Sequence, residues 1–149
     1  MMDSNSVPQI TMAAREDLPL VRALLRESRL PVEGLEPLVG SLLVARVGSR
    51  VVGCAALEDF PPATLLRSVA VRADGRGSGL GGLLTQVALD LARERGLLRV
   101  FLLTETAEQF FSRFGFRAVD RSNVDEAVQR SQEFAALCPA TAVAMALEL

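Results

Sequence analysis

The chain has 149 residues, a formal net charge of −2 and half of its residues hydrophobic, which is the length of one domain with enough apolar material for its own core. It holds no His, Tyr or Trp, and all 16 of its basic residues are Arg. That excludes a histidine triad, a Schiff-base lysine, a histidine metal site and a Walker-type phosphate loop.

Residues 1–8 lack a basic flank and an apolar signal segment, and read as a flexible polar leader to a single domain over residues 9–149. Gln9 to Ala14 reads as a first strand. Asp17 is a plausible N-cap, Leu18, Val21, Leu24 and Leu25 recur at helical spacing, and Pro31 stops that helix. A short helical turn follows around Leu35 to Val39. Leu42 to Val47 and Arg50 to Leu57 are apolar runs separated by Gly48-Ser49, a hairpin signal. Pro61-Pro62 breaks the chain before a third run, Thr64 to Val71, so the first half reads as an antiparallel meander.

The second half changes character. Leu80, Leu83, Leu84, Val87, Ala88 and Leu91 form one apolar stripe at helical spacing, and Gly96 stops the helix. Leu98 to Leu103 is a continuous apolar strand. Strand, glycine loop, helix and strand make a βαβ unit with parallel flanking strands. Glu108 to Phe114 reads as a short helix closed by Gly115, Val124 to Phe134 as helical, and Ala142 to Leu147 as a last strand. The fold class is α/β, a mixed sheet that is antiparallel first with a parallel crossover in the middle.

Arg76-Gly77-Ser78-Gly79-Leu80-Gly81 lies where that helix starts. Unpaired helix N–H groups and the positive end of the dipole attract anions, glycines allow close approach, and Arg76 can grip a phosphate in a bidentate way. Two ligand classes compete for it. Gly77-x-Gly79-x-x-Gly82 matches the dinucleotide fingerprint, and Glu105 ends the next strand where a ribose-binding acid would sit. Against that, a dinucleotide unit starting at mid-chain leaves few residues for further parallel strands.

Val69-Ala70-Val71-x4-Arg76-Gly77-x-Gly79-x-Gly81 resembles motif A of the GCN5-related N-acetyltransferase (GNAT) family, and Phe110-Phe111-x-x-Phe114-Gly115-Phe116 resembles the same family behind the next strand. The resemblance implies acetyl-CoA as cofactor and a small-molecule amine as acceptor. Backbone from Arg76, Gly77, Ser78, Gly79, Leu80 and Gly81 would hold the pyrophosphate. The main chain of Val69, Ala70 and Val71 would run beside the pantetheine arm, and Phe111 would line the channel. Segments near the C-terminus, among them Ser131-x-Glu133-Phe134 and Leu137-Cys138-Pro139-Ala140, resemble a branch associated with arsenic resistance, which implies detoxification of an amine-bearing small molecule.

Many family members carry Tyr where this chain has Phe111, so the usual proton donor is missing. Carboxylates are nearly the only bases left: Glu58 at a strand end is the first candidate and Glu105 the second. Arg67 and Ser68 stand on the strand leading into the loop. Alternation puts Arg67 on the face of Val69 and Val71, where charge needs a partner. That partner is either a substrate carboxylate or an ion pair with Glu58 or Asp59. Cys54 and Cys138 read as small buried hydrophobes. A cytoplasmic enzyme, with no nucleic-acid or membrane partner and with a homodimer made plausible by exposed apolar positions near the last strand, is the expectation. A dinucleotide oxidoreductase and a non-catalytic acetyl-CoA sensor are the alternatives.

Overall fold

The computed structural model describes residues 7–137 and 139–149; Cys138 and the first six residues of the expected leader lie outside them. Among the described residues, seven strands form one sheet in the order β1-β2-β3-β4-β5-β7-β6. The strands are β1 (Gln9–Met12), β2 (Leu42–Val47), β3 (Arg50–Phe60), β4 (Ala63–Val71), β5 (Arg99–Thr104), β6 (Arg117–Val119) and β7 (Val143–Glu148). The helices are α1 (Leu18–Glu27), α2 (Leu80–Glu94), α3 (Glu108–Ser112) and α4 (Glu126–Gln129). β1 and β2 pair antiparallel, as do β2 and β3, while β4 and β5 pair in parallel through Ala63↔Arg99 to Leu65↔Phe101. β7 runs antiparallel to both β5 and β6. The expected mixed sheet with a parallel crossover is therefore present.

The chain divides into two compact units. The first runs up to Leu57 and includes Ser68–Ala88. Its core takes the inner face of α1 (Leu18, Val21, Leu24 and Leu25) together with Leu35 and Leu42; burying side chains of this size is worth about 1.5–3 kcal/mol each. The second unit consists of Glu58–Arg67 and Leu89–Leu149, with a core built on Leu65, Phe101, Val124, Val128 and Phe134. β3 and β4 run from one unit into the other.

Several boundaries differ from the sequence reading for identifiable reasons. β1 is assigned to Met12, one further bond to β2 following from Ala13 N–H to Leu42 O at 2.8 Å. α1 ends before Pro31: Arg29 adopts φ 58°, and Leu30 N–H reaches back to Leu25 O at 2.9 Å, a closing motif usually built on glycine. Gly96 plays that part at the end of α2, with φ 73° and Leu97 N–H on Ala92 O at 3.1 Å. Leu83 is 51% exposed, so it leaves the expected stripe of α2, while Thr85, Leu89 and Ala92 are buried. Leu98 is exposed and β5 begins at Arg99. Val124 to Phe134 is not one helix: Val124 is extended after a 3-10 turn at Arg121–Asn123, and α4 and the start of a π-helical turn (Glu133–Leu137) divide the rest of the segment.

Candidate active site

In the first unit, β4 feeds the glycine loop through a 3-10 turn at Ala73–Gly75. Ser78 hydroxyl donates to Gly75 O at 2.5 Å, and Ala73 N–H donates to Glu27 Oε1 at 3.1 Å. Arg76 braces the loop, since its Nε donates to Val71 O at 3.2 Å and its Nη2 to Ser28 Oγ at 3.3 Å. Gly77 and Gly79 both sit at φ 86°, the left-handed region where a side chain is costly. Nothing lies within 4 Å of where a Cβ would project from either glycine, so the space in front of the loop is open. Leu83 N–H donates to Gly79 O at 3.0 Å, which opens α2; the N–H groups of the first turn have no intrahelical acceptor by geometry. A cavity of about 420 Å³ is lined by Gly75, Ser78, Gly79 and Leu80 together with Arg50 and Val52, within the range of small-molecule sites. These features fit a phosphate-bearing cofactor.

β4 carries a second unusual backbone. Ser68 has φ 59° and is buried, and its carbonyl accepts from Cys54 Sγ at 3.1 Å. A left-handed residue inside a strand interrupts the alternation of faces. The expectation that Arg67 shares a face with Val69 and Val71 rested on unbroken alternation and does not carry across Ser68. Cys54 is fully buried, and desolvation pushes its thiol up to about 12, so it stays a neutral, unreactive group near pH 7.

In the second unit, the Arg67 side chain is 1% exposed and is held by two carboxylates. Nη1 donates to Glu58 Oε1 at 3.1 Å, and Nε lies 3.9 Å from Glu133 Oε2. The structure therefore contains the Glu58 ion pair considered from sequence, and adds Glu133 to it. Asp59 faces elsewhere: its Oδ1 accepts from Thr64 Oγ1 at 2.8 Å and its Oδ2 from Arg95 Nη1 at 2.9 Å, a brace on the turn that follows Glu58. Glu105 is exposed in the segment after β5. Phe111 is buried, edge-on to Phe110 at 5.0 Å and to Phe116 at 5.8 Å. Ser112 hydroxyl is bound to Glu108 O at 2.8 Å. Glu133 was not anticipated as a partner of Arg67; the one signal was an acid beside Phe134 in an apolar stretch.

A glycine-loop crossover set in a largely antiparallel sheet is not the doubly wound dinucleotide fold, which is built on a mostly parallel sheet. Residues 39–118 match the family model for the acetyltransferase (GNAT) domain, and the chain belongs to that family. It is 32% identical over 105 residues, 69% of its length, to an amino-acid acetyltransferase of Enterobacter, although it spans only 23% of that relative. It is 27% identical over 132 residues to an uncharacterized N-acetyltransferase of Chlorobaculum tepidum, covering 87% of this chain and 79% of that protein. The crystal structure of the Mycobacterium tuberculosis protein Rv2747, in complex with CoA, superposes with TM-score 0.82 and 28% identity over 95% of this chain and 99% of that one. The fold is the GNAT acyltransferase fold.

Proposed function

We propose that residues 9–149 act as one acetyl-CoA-dependent N-acetyltransferase domain on a small amine or amino-acid-like acceptor. The observation that carries this reading is the pair of left-handed glycines with open space before them at the start of α2. Backbone N–H groups from Gly77 to Gly81 hold the pyrophosphate, Arg76 adds positive charge, and Val69 to Val71 flank the pantetheine arm. Phe111 lines the channel. The cofactor supplies an activated acetyl thioester.

The chain's own residues handle the proton and the acceptor. Glu58, 26% exposed at its side chain, takes the proton that the amine nitrogen loses as it acquires the acetyl group; Glu105 is the second candidate. Water protonates the departing thiolate, because Phe111 carries no proton and the Ser112 hydroxyl donates to its own helix. Arg67 and Ser68 stand on the acceptor side, where Arg67 meets an acceptor carboxylate in addition to its two glutamates. The amino-acid acetyltransferases among the relatives support an acceptor of that kind. Detoxification of an amine-bearing compound, arsenicals included, inside the cytoplasm is the setting this reading favours.

Thermal unfolding with ligands tests it. A ligand at a hundred times its dissociation constant stabilises by about 2.7 kcal/mol; acetyl-CoA is expected to do so and NADH is not. Gly79→Val places a side chain in the open space and forces a strained φ, so it is expected to abolish the acetyl-CoA shift. Stabilisation by NADH alone would return the loop to the dinucleotide reading. The second reading, a non-catalytic acetyl-CoA sensor, is favoured by Phe111 at the usual tyrosine position, and predicts the thermal shift without transfer to any amine.

A further inference from the structure

We infer that Glu27, the last residue of α1, is a positioning residue for the cofactor, holding the glycine loop in shape through the backbone of Ala73; this rests on the acetyl-CoA reading of the loop above. The end of α1 is itself fixed. Leu24 and Leu25 are buried in the core of the first unit, Ser28 N–H donates to Leu24 O at 3.1 Å, and Leu30 N–H donates to Leu25 O at 2.9 Å. From that end two bonds cross to the loop. Ala73 N–H donates to Glu27 Oε1 at 3.1 Å, and Arg76 Nη2 donates to Ser28 Oγ at 3.3 Å. The 3-10 turn at Ala73–Gly75 uses Arg72 O for Gly75 N–H and Ala73 O for Arg76 N–H, at 2.9 and 3.4 Å. Ala73 N–H therefore finds its acceptor outside the turn, in Glu27.

Two effects disfavour an acid at position 27. A carboxylate at the last position of a helix faces the negative end of the dipole, and a carboxylate beside a loop that binds phosphate repels the ligand. Neither penalty attaches to a neutral side chain. What the carboxylate gains there is the Ala73 N–H. The loop needs such a tie, because Gly77 and Gly79 sit at φ 86° and glycine does not hold the backbone to one conformation. The N–H groups assigned to the pyrophosphate begin at Gly77, one residue beyond Arg76, so the two crossings fix the chain just ahead of them. A loop ordered before the cofactor arrives loses less freedom on binding. The tie and the charge thus pull the affinity in opposite directions, and substitutions can separate them.

The experiment titrates acetyl-CoA calorimetrically into the full chain carrying Glu27→Ala or Glu27→Gln, beside wild type. Glu27→Ala removes the acceptor and the charge together. At physiological salt, where exposed charges are largely screened, it is expected to weaken binding about threefold to tenfold. Glu27→Gln keeps an acceptor oxygen for Ala73 N–H and removes only the charge. It is expected to bind as tightly as wild type or more tightly, with any gain shrinking as salt is raised. Should E27A fail to fold, Glu27→Ser, too short to reach Ala73 N–H, takes its place. Binding undiminished in E27A, or weakened equally in E27Q, would overturn the role of Glu27 while leaving the loop assignment intact. No binding by wild type, or full binding by Gly79→Val, would overturn that assignment and this inference with it.

Discussion

Asp17 shows how a single buried acid is made to fit in a chain whose only cations are arginines. Its carboxylate accepts from Arg46 at 2.8 and 2.5 Å and from Ala14 N–H at 2.7 Å, so it turns back from α1 instead of capping it forward as the sequence suggested. The hydrogen bonds from Arg46 hold the Asp17 carboxyl below its ordinary range despite its burial. The folded value being the lower one, this contribution to stability is fully present above the unfolded carboxyl value of about 3.9. It is lost as the pH falls from there through the folded value. Asp17→Asn is therefore expected to cost about 1–3 kcal/mol near pH 7, measured by urea unfolding, with the penalty shrinking as the titration is repeated below about pH 4. Arg67 sits under the same constraint more severely, because its side chain is almost wholly out of water and two acids share it. The need for a partner was legible from the sequence, since a guanidinium in an apolar strand demands one. The identity of Glu133 was not, because the contact joins segments far apart along the chain.

Elements with a strong local period came through the sequence reading best. β2 and the hairpin at Gly48-Ser49 fall where the residues put them, and α2 runs from Leu80 to Glu94 as its stripe implied. β6 escaped notice because Arg117 and Ala118 are exposed and Val119 only half-buried, so no pattern marks them; pairing with β7 makes them a strand. Of the exposed large apolar residues, Val7, Met12, Leu20, Leu83 and Leu98, the last lies beside the end of β7, its carbonyl accepting from Leu149 N–H at 2.9 Å. A subtler feature is Gly53, in the middle of β3, where a Cβ would come within 2.8 Å of Leu84 Cδ1 and 3.3 Å of Ala70 O. Its φ is not in the left-handed region, so its value is the room it gives α2 and not backbone freedom. Gly53→Val is expected to destabilise by about 1–3 kcal/mol through overpacking, read as a lower denaturant midpoint with an unchanged slope. The stripe identified the helix face, but it could not show which strand residue had to be small to receive it.

For the molecule as a whole, composition and strand direction did different work. The missing His, Lys, Tyr and Trp removed whole reaction classes before any element was placed. They also mean that no lysine side chain of this chain can take an acetyl group, so lysine-bound label in an assay belongs to another molecule. Glycine spacing alone fitted dinucleotides as well as acetyl-CoA; the antiparallel pairing of β1, β2 and β3 and the match over residues 39–118 resolved the family. Ser68 carries the furthest implication. Its φ of 59° inside β4 breaks the regular alternation of the strand at that residue. Position 68 thus works as a phase change, comparable to a shifted reading frame within a single strand. Substitution should be mild there and deletion severe. Ser68→Gly accepts the left-handed backbone readily and is expected to unfold within about 1 kcal/mol of wild type. Removing residue 68 would turn Val69 to Val71 to the wrong faces, and cooperative unfolding is expected to disappear.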